Sequence, residues 1–241
     1  MPPRLDGKIA LVTGAGRGIG RSISLALADA GAQVVVCART VRQIEEVEQE
    51  IIQAGGKAIL IPADISDEKD VNLLFEKIDT TFNKLDIIVN NAGTGIFKEV
   101  VDFPIGDFDQ VMSVNLRGTF LCCQRAMRAM IPNKNGYIIN IASVAGFRGY
   151  PRQSAYCASK HGIMGITKAL SIEAQKHNIR VSAILPGSVD TELIAYARPD
   201  IEKVDLIRPE DIALTVIFML SLSDHVAVDQ IYIRRRNSDP F

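Results

Sequence analysis

Thr13-Gly14-Ala15-Gly16-Arg17-Gly18-Ile19-Gly20 is the stretch from which the fold reads outward. It directly follows the apolar, β-branched run Ile9 to Val12 and opens a helical pattern near 18–30. Glycines at such a turn let the backbone fold tightly and approach a pyrophosphate, whose charge then sits at the N-terminus of the next helix. A glycine run alone is a weak signal. Its position at first strand, first turn and first helix makes it a dinucleotide-binding fingerprint.

Further apolar runs lie at Val34 to Cys37, Ala58 to Ile61, Ile87 to Asn90, Tyr137 to Ile141 and Val181 to Leu185. They are continuous rather than alternating, which suits parallel strands covered on both faces. Helical patterns fall between them, near 41–54, 67–82, 107–131 and 154–177; in the first, Val41, Ile44, Val47 and Ile51 recur at helical spacing. Asp64-Ile65-Ser66-Asp67 supplies cap-type residues before the third helix, and Pro209 suits the first turn of the last. This alternation predicts right-handed crossovers and a doubly wound α/β fold, with one domain over residues 1–241.

Composition narrows the function classes. An apolar content of 47% supplies a core, and 27 Lys+Arg against 28 Asp+Glu leave no electrostatic footprint for nucleic acid. The basic run Arg234-Arg235-Arg236 reads as a solvated or subunit-facing edge rather than an RNA or lipid contact. Cys37, Cys122, Cys123 and Cys157 lack metal-ligand spacing and read as reduced thiols, so no metal site is expected. No apolar run approaches the roughly 18 residues of a membrane span, and no signal peptide is recognised ahead of Lys8. A cytoplasmic location is the expectation.

The second strand bears on the cofactor. Sites that prefer NAD place an acid at its tip for the ribose hydroxyls. Here Val36-Cys37-Ala38-Arg39-Thr40 has none; Arg39 can pair with a 2′-phosphate and Arg17 can flank it, which favours NADP(H) over NAD. Asp64 and Ile65 either meet the adenine amino group or serve a cap, and Asn90-Asn91-Ala92-Gly93 ends the fourth strand where strand order should reverse.

Two features carry chemistry. Ser143 lies just past the fifth strand, and Tyr156 and Lys160 are four apart on one helix face. Carbonyl reduction needs a proton donor for the developing alkoxide, and a lysine ammonium near a phenol favours its ionised form. Ser143 can hydrogen-bond the substrate oxygen as charge grows on it.

With glycine motif, Asn-Asn-Ala-Gly, Ser and Tyr-x-x-x-Lys in this order, and Pro186-Gly187 after the sixth strand, the chain resembles the short-chain dehydrogenase/reductase family over roughly residues 5 to 220. The resemblance implies a seven-stranded sheet of order 3-2-1-4-5-6-7. It implies that Tyr156 is the general acid/base, that Lys160 tunes it and binds the nicotinamide ribose, and that Ser143 orients the substrate. Asn115 resembles the family's fourth catalytic residue in a water-linked relay; the alternative is a structural, helix-bending role. Gly14, Arg17, Gly18, Ile19, Gly20, Arg39, Asp64, Ile65, Asn91, Ala92 and Gly93 would hold the dinucleotide, with Pro186, Gly187, Val189 and Thr191 at the nicotinamide. A homodimer or tetramer through helices 107–131 and 154–177 is likewise implied.

The chain departs from the family pattern in a short lid between Gly187 and Pro209 and in its ending, His225 to Arg236, which resembles that of members acting on small hydroxy acids. Gly95, Ile96, Phe97, Val144, Phe147, Arg148 and Tyr150 are candidate pocket residues; Arg148 faces either a substrate carboxylate or solvent. The expected activity is interconversion of a small or medium carbonyl compound and its alcohol. The alternatives are a 3-oxoacyl thioester reductase and a non-catalytic NADP(H)-binding sensor.

Overall fold

The computed structural model describes residues 5–240. Seven parallel strands, β1 (Ile9–Thr13), β2 (Gln33–Cys37), β3 (Lys57–Leu60), β4 (Ile87–Asn90), β5 (Gly136–Ile141), β6 (Ile179–Pro186) and β7 (Gln230–Ile233), form one sheet in the order β3-β2-β1-β4-β5-β6-β7. This is the expected order. β1 pairs with both β2 and β4, so the chain's winding reverses between β1 and β4, where α/β sheets open a crevice beyond the strand ends.

Among the described residues, eight α-helices cover the two faces: α1 (Gly18–Asp29), α2 (Val41–Gln53), α3 (Glu68–Phe82), α4 (Ile105–Met112), α5 (Gly118–Met130), α6 (Ser154–Gln175), α7 (Glu192–Ala197) and α8 (Pro209–Ser221). Strand residues alternate between two cores. Ala10, Val12, Val34, Val36 and Val89 meet Ile23 and Leu27 of α1, Ile44 and Val47 of α2 and Val216 of α8. Leu11, Val35, Ile88 and Ile138 face the other way, onto Leu74 and Ile78 of α3 and Cys122 and Ala126 of α5. Both faces being covered explains why the strands read as unbroken apolar runs.

Pro209 is the first residue of α8, as its fixed φ favours. The cap of α3 is Asp67, whose carboxylate accepts from the Lys69 amide, while Asp64 accepts from the Ser66 amide and hydroxyl in the preceding turn. The long helix expected over 107–131 is a continuous rod from Ile105 to Met130 with a π-helical segment, Ser113–Arg117, between α4 and α5. No helix among the described residues is long and apolar enough to cross a membrane. All four cysteines are buried and unpaired.

Candidate active site

At the switch point the loops after β1 and β4 are tied together. The Thr13 hydroxyl accepts from the amides of Asn91 and Ala92 (both 3.1 Å), and Asn91 Nδ2 donates to the carbonyls of Thr13 (3.0 Å) and Gly14 (3.1 Å). The Asn91 side chain is thus a brace between the two loops. The approach is too close for side chains: a Cβ on Gly14 would lie 2.7 Å from Ala92 Cα, and one on Gly20 would lie 2.2 Å from the Gly14 carbonyl oxygen. Gly14 also has φ +63°, in the left-handed region.

The cleft above this brace has a volume of about 990 Å³, a size suited to a dinucleotide with room for a small substrate. Every expected cofactor residue borders it except Gly20, which supports the loop from behind. Helix α1 starts there with no side-chain cap from Arg17, so its first amides remain for an anion. The glycine cradle and these uncapped amides fit a pyrophosphate.

At the adenosine end, Arg39 lies 3.5 Å from the Asp64 carboxylate, both residues lining the cleft. Burial alone would raise the Asp64 carboxyl, but hydrogen bonds from Ser66 and the charge of Arg39 outweigh it and hold it below its ordinary value. Arg17, expected beside Arg39, instead pairs with Glu192, the first residue of α7. That ion pair links the glycine loop to the short lid across the mouth of the cleft.

Ser143, Tyr156 and Lys160 converge at the other end. Ser143 follows β5 in an extended conformation and its oxygen accepts from the Ala145 amide (3.1 Å), so its own hydroxyl hydrogen is free to turn toward the cleft that Tyr156 also lines. The ring of Phe97 stands edge-on to that of Tyr156, with centroids 5.8 Å apart. Lys160 is 4% exposed, donates to the Ile141 carbonyl (3.0 Å) and places Nζ 5.7 Å from the Tyr156 ring centroid.

The electrostatics differ from the expectation that Lys160 lowers the phenol's pKa. Burial pushes Tyr156 up to about 12, the Ser143 hydrogen bond offsetting only part of that rise, and burial pushes Lys160 down to about 8. A phenol with this environment is a held proton donor.

Asn115 is fully buried within the π-helical segment and does not border the cleft. Its Oδ1 accepts from the Thr94 amide (2.7 Å), and its Nδ2 donates to the Thr94 carbonyl (2.9 Å) and the Ser159 hydroxyl (3.0 Å). These bonds brace the loop after Gly93 against α6. Behind the site, Asn90 donates to Asn140 (2.8 Å), and Asn140 to Thr167 (2.9 Å) on α6. Sequence reasoning passed over this buried ladder, because asparagines in strands read as interruptions until the register sets Asn90 beside Asn140.

The tail requires a correction. Arg234 and Arg235 are not merely a solvated edge: both line the cleft, because β7 runs parallel to β6 and delivers them to the sheet's open rim. Arg148 faces neither substrate alone nor bare solvent, as it donates to the Pro240 carbonyl (2.9 Å). The sequence held a signal for this, since whatever follows a parallel strand emerges at the crevice.

Known proteins agree with this geometry. The family model described as short chain dehydrogenase matches residues 8–202. An uncharacterized oxidoreductase of Staphylococcus aureus (strain MW2) is 36% identical, covering 95% of this chain and 98% of that one. The 3-oxoacyl-[acyl-carrier-protein] reductase of Aquifex aeolicus (strain VF5) is also 36% identical, covering 97% and 98%. Among solved structures, a metagenomic short-chain oxidoreductase in complex with NADP superposes with a TM-score of 0.87 at 33% identity, covering 98% of this chain and all of that one. With a braced glycine cradle, a Ser–Tyr–Lys cluster and these relatives, the chain belongs to the short chain dehydrogenase family.

Proposed function

We propose that this protein is an NADP(H)-dependent oxidoreductase that interconverts a carbonyl group and an alcohol, with binding and chemistry carried by one domain spanning residues 1–241. The observation that carries the proposal is the half-buried Tyr156, set with Ser143 and Lys160 in the wall of the cleft that also holds Arg39. The relative that holds NADP supports the choice of cofactor, as does the absence of an acid at the tip of β2, where Arg39 offers a guanidinium fork to a 2′-phosphate.

The uncapped start of α1, with Gly18 and Ile19, would hold the pyrophosphate; Ile65 would flank the adenine; Pro186, Gly187, Val189 and Thr191 would hold the nicotinamide end. The bound dihydronicotinamide supplies the hydride. Tyr156 gives its hydroxyl proton to the substrate oxygen as the carbonyl carbon is reduced, and the Ser143 hydroxyl orients that oxygen and shares its growing charge. Lys160 donates to the ribose and, when charged, favours the phenolate left behind. Asn115 acts as a positioning residue, holding the loop at Gly93 and the turn of Ser159 next to Lys160. In the reverse direction the same groups run in the opposite order, with Tyr156 as base.

Exposed Ile105, Phe120 and Ile172 on the rod of α4 and α5 and on α6 support assembly into a homodimer or tetramer through those helices. Four buried, unpaired thiols suit a reducing cytoplasm. The test is NADPH oxidation with ketones, oxo acids and 3-oxoacyl thioesters. Tyr156→Phe should lower turnover by about three orders of magnitude or more while NADPH binding, followed by fluorescence, stays within a few-fold; activity retained in that variant would refute the acid/base role.

A further inference from the structure

The tail beyond β7 is a built structure. The Arg234 guanidinium clamps the carbonyls of Arg235 (3.1 Å), Arg236 (3.2 Å) and Ser238 (2.6 Å), and the Ser238 amide and hydroxyl return to the Arg235 carbonyl. Arg148 and Asp205 seat the loop from outside, through Pro240 and Asn237. Its start is fixed by the sheet: Ile233 pairs with Pro186, and the Gly187 amide donates to the Ile233 carbonyl (2.7 Å). Arg235 therefore enters the cleft two residues beyond Ile233, near the Pro186-Gly187 wall, and lines the same cleft as Tyr156 and Phe97.

Arg235 is half-buried and lines the cleft, yet its guanidinium makes no hydrogen bond or ion pair among the described residues. Asp200 feels its charge but is already held by both arms of Arg198, at 2.8 and 2.7 Å. The cleft's carboxylates are committed elsewhere: Asp64 to Arg39, Asp190 to Lys203 and Glu192 to Arg17. The remaining one, Asp239, is exposed at the rim. A half-buried guanidinium with its donors unused can pair with a ligand anion through charge-assisted hydrogen bonds. Phe97, Val144 and Leu193 give the same cleft apolar wall.

We infer that Arg235 is the specificity-determining residue for an anionic substrate, a small oxo acid whose carboxylate pairs with this guanidinium while its ketone reaches Tyr156. The inference rests on the reductase reading above and narrows its substrate class. Arg236 provides the control, being an adjacent arginine outside this cleft.

The experiment measures NADPH oxidation with pyruvate, acetoacetate, levulinate and longer homologous oxo acids, each beside its methyl ester, for the parent protein, Arg235→Gln, Arg235→Lys and Arg236→Gln. The best acid should exceed its ester about tenfold or more in kcat/KM, as a charge-assisted pair allows. Arg235→Gln should remove that preference, chiefly through KM, leaving ester reduction and melting temperature unchanged. Arg235→Lys should restore part of it, and Arg236→Gln should change neither substrate. Esters reduced as well as acids, or equal losses in Arg235→Gln and Arg236→Gln, overturn the inference and leave the reductase reading standing. NADPH binding without reduction of any acid also overturns it, whereas failure to bind NADPH removes the parent reading as well.

Discussion

Replacing Lys160 by Met should make the cofactor-free protein more stable and inactive at once. Burial moves this ammonium from 10.5 down to about 8, and the residue is only 4% exposed. Keeping it protonated in the folded chain at pH 7 therefore costs about 3 kcal/mol, at ~1.36 kcal/mol for each tenfold loss of proton affinity. Methionine removes that cost but leaves the Ile141 carbonyl without its donor, a loss of about 1 kcal/mol. The net gain of about 2 kcal/mol corresponds to a rise in Tm of about 4–8 °C for a chain of this length.

The pH dependence gives the sharper check. Between pH 8 and 10.5 the unfolded chain holds more protons at Lys160 than the folded one, so the native protein gains stability relative to the variant as pH rises. At pH 9.5 the residual cost is about 1 kcal/mol, so the variant's advantage should shrink by about 2 kcal/mol. Denaturant unfolding of the two proteins without cofactor at pH 7 and pH 9.5, followed by circular dichroism, measures both quantities. A variant no more stable than its parent at pH 7, or a difference that ignores pH, would refute the reasoning.

Arg39→Asp sets a second carboxylate beside Asp64 and removes the 2′-phosphate fork, so the ratio of kcat/KM for NADPH over NADH should fall by about tenfold to a hundredfold; an unchanged ratio would contradict the cofactor assignment. Gly20→Ala drives a methyl group to 2.2 Å from the Gly14 carbonyl oxygen and 2.4 Å from Asn91 Nδ2. It should cost about 1–3 kcal/mol in unfolding and weaken NADPH binding at least tenfold in a fluorescence titration, and tolerance without either loss would show that the loop is not braced as described.

The sequence revealed the strands because the sheet is covered on both sides, making each an unbroken apolar run, and six of them were placed to within about two residues. It revealed Ser143, Tyr156 and Lys160 because their types and spacing have chemical meaning before folding. It could not reveal what burial does to them: desolvation pushes Tyr156 up to about 12, opposite to the lowering expected of the lysine four positions along. Nor could it show that Arg17 would pair with Glu192, a partner 175 positions away. The bonds of Asn115 to Thr94 and Ser159 were hidden for a different reason, since nothing in Ser113-Val114-Asn115-Leu116-Arg117 marks a change of helical pitch.

That change of pitch separates what the scaffold needs from what the chemistry needs. The rod from Ile105 to Met130 holds five residues wound more loosely than their neighbours, so one turn carries more chain than an ordinary one. Deleting a single residue there would let the rod rewind as plain α-helix, with Val111 and Leu121 still turned inward to the core they now fill. Asn115 would lose the bulged position from which it reaches Thr94 and Ser159. A one-residue gap in this segment should therefore cost little in folding and much in turnover, and a homologue carrying one should be expected to have rebuilt the support beneath its counterpart of Lys160.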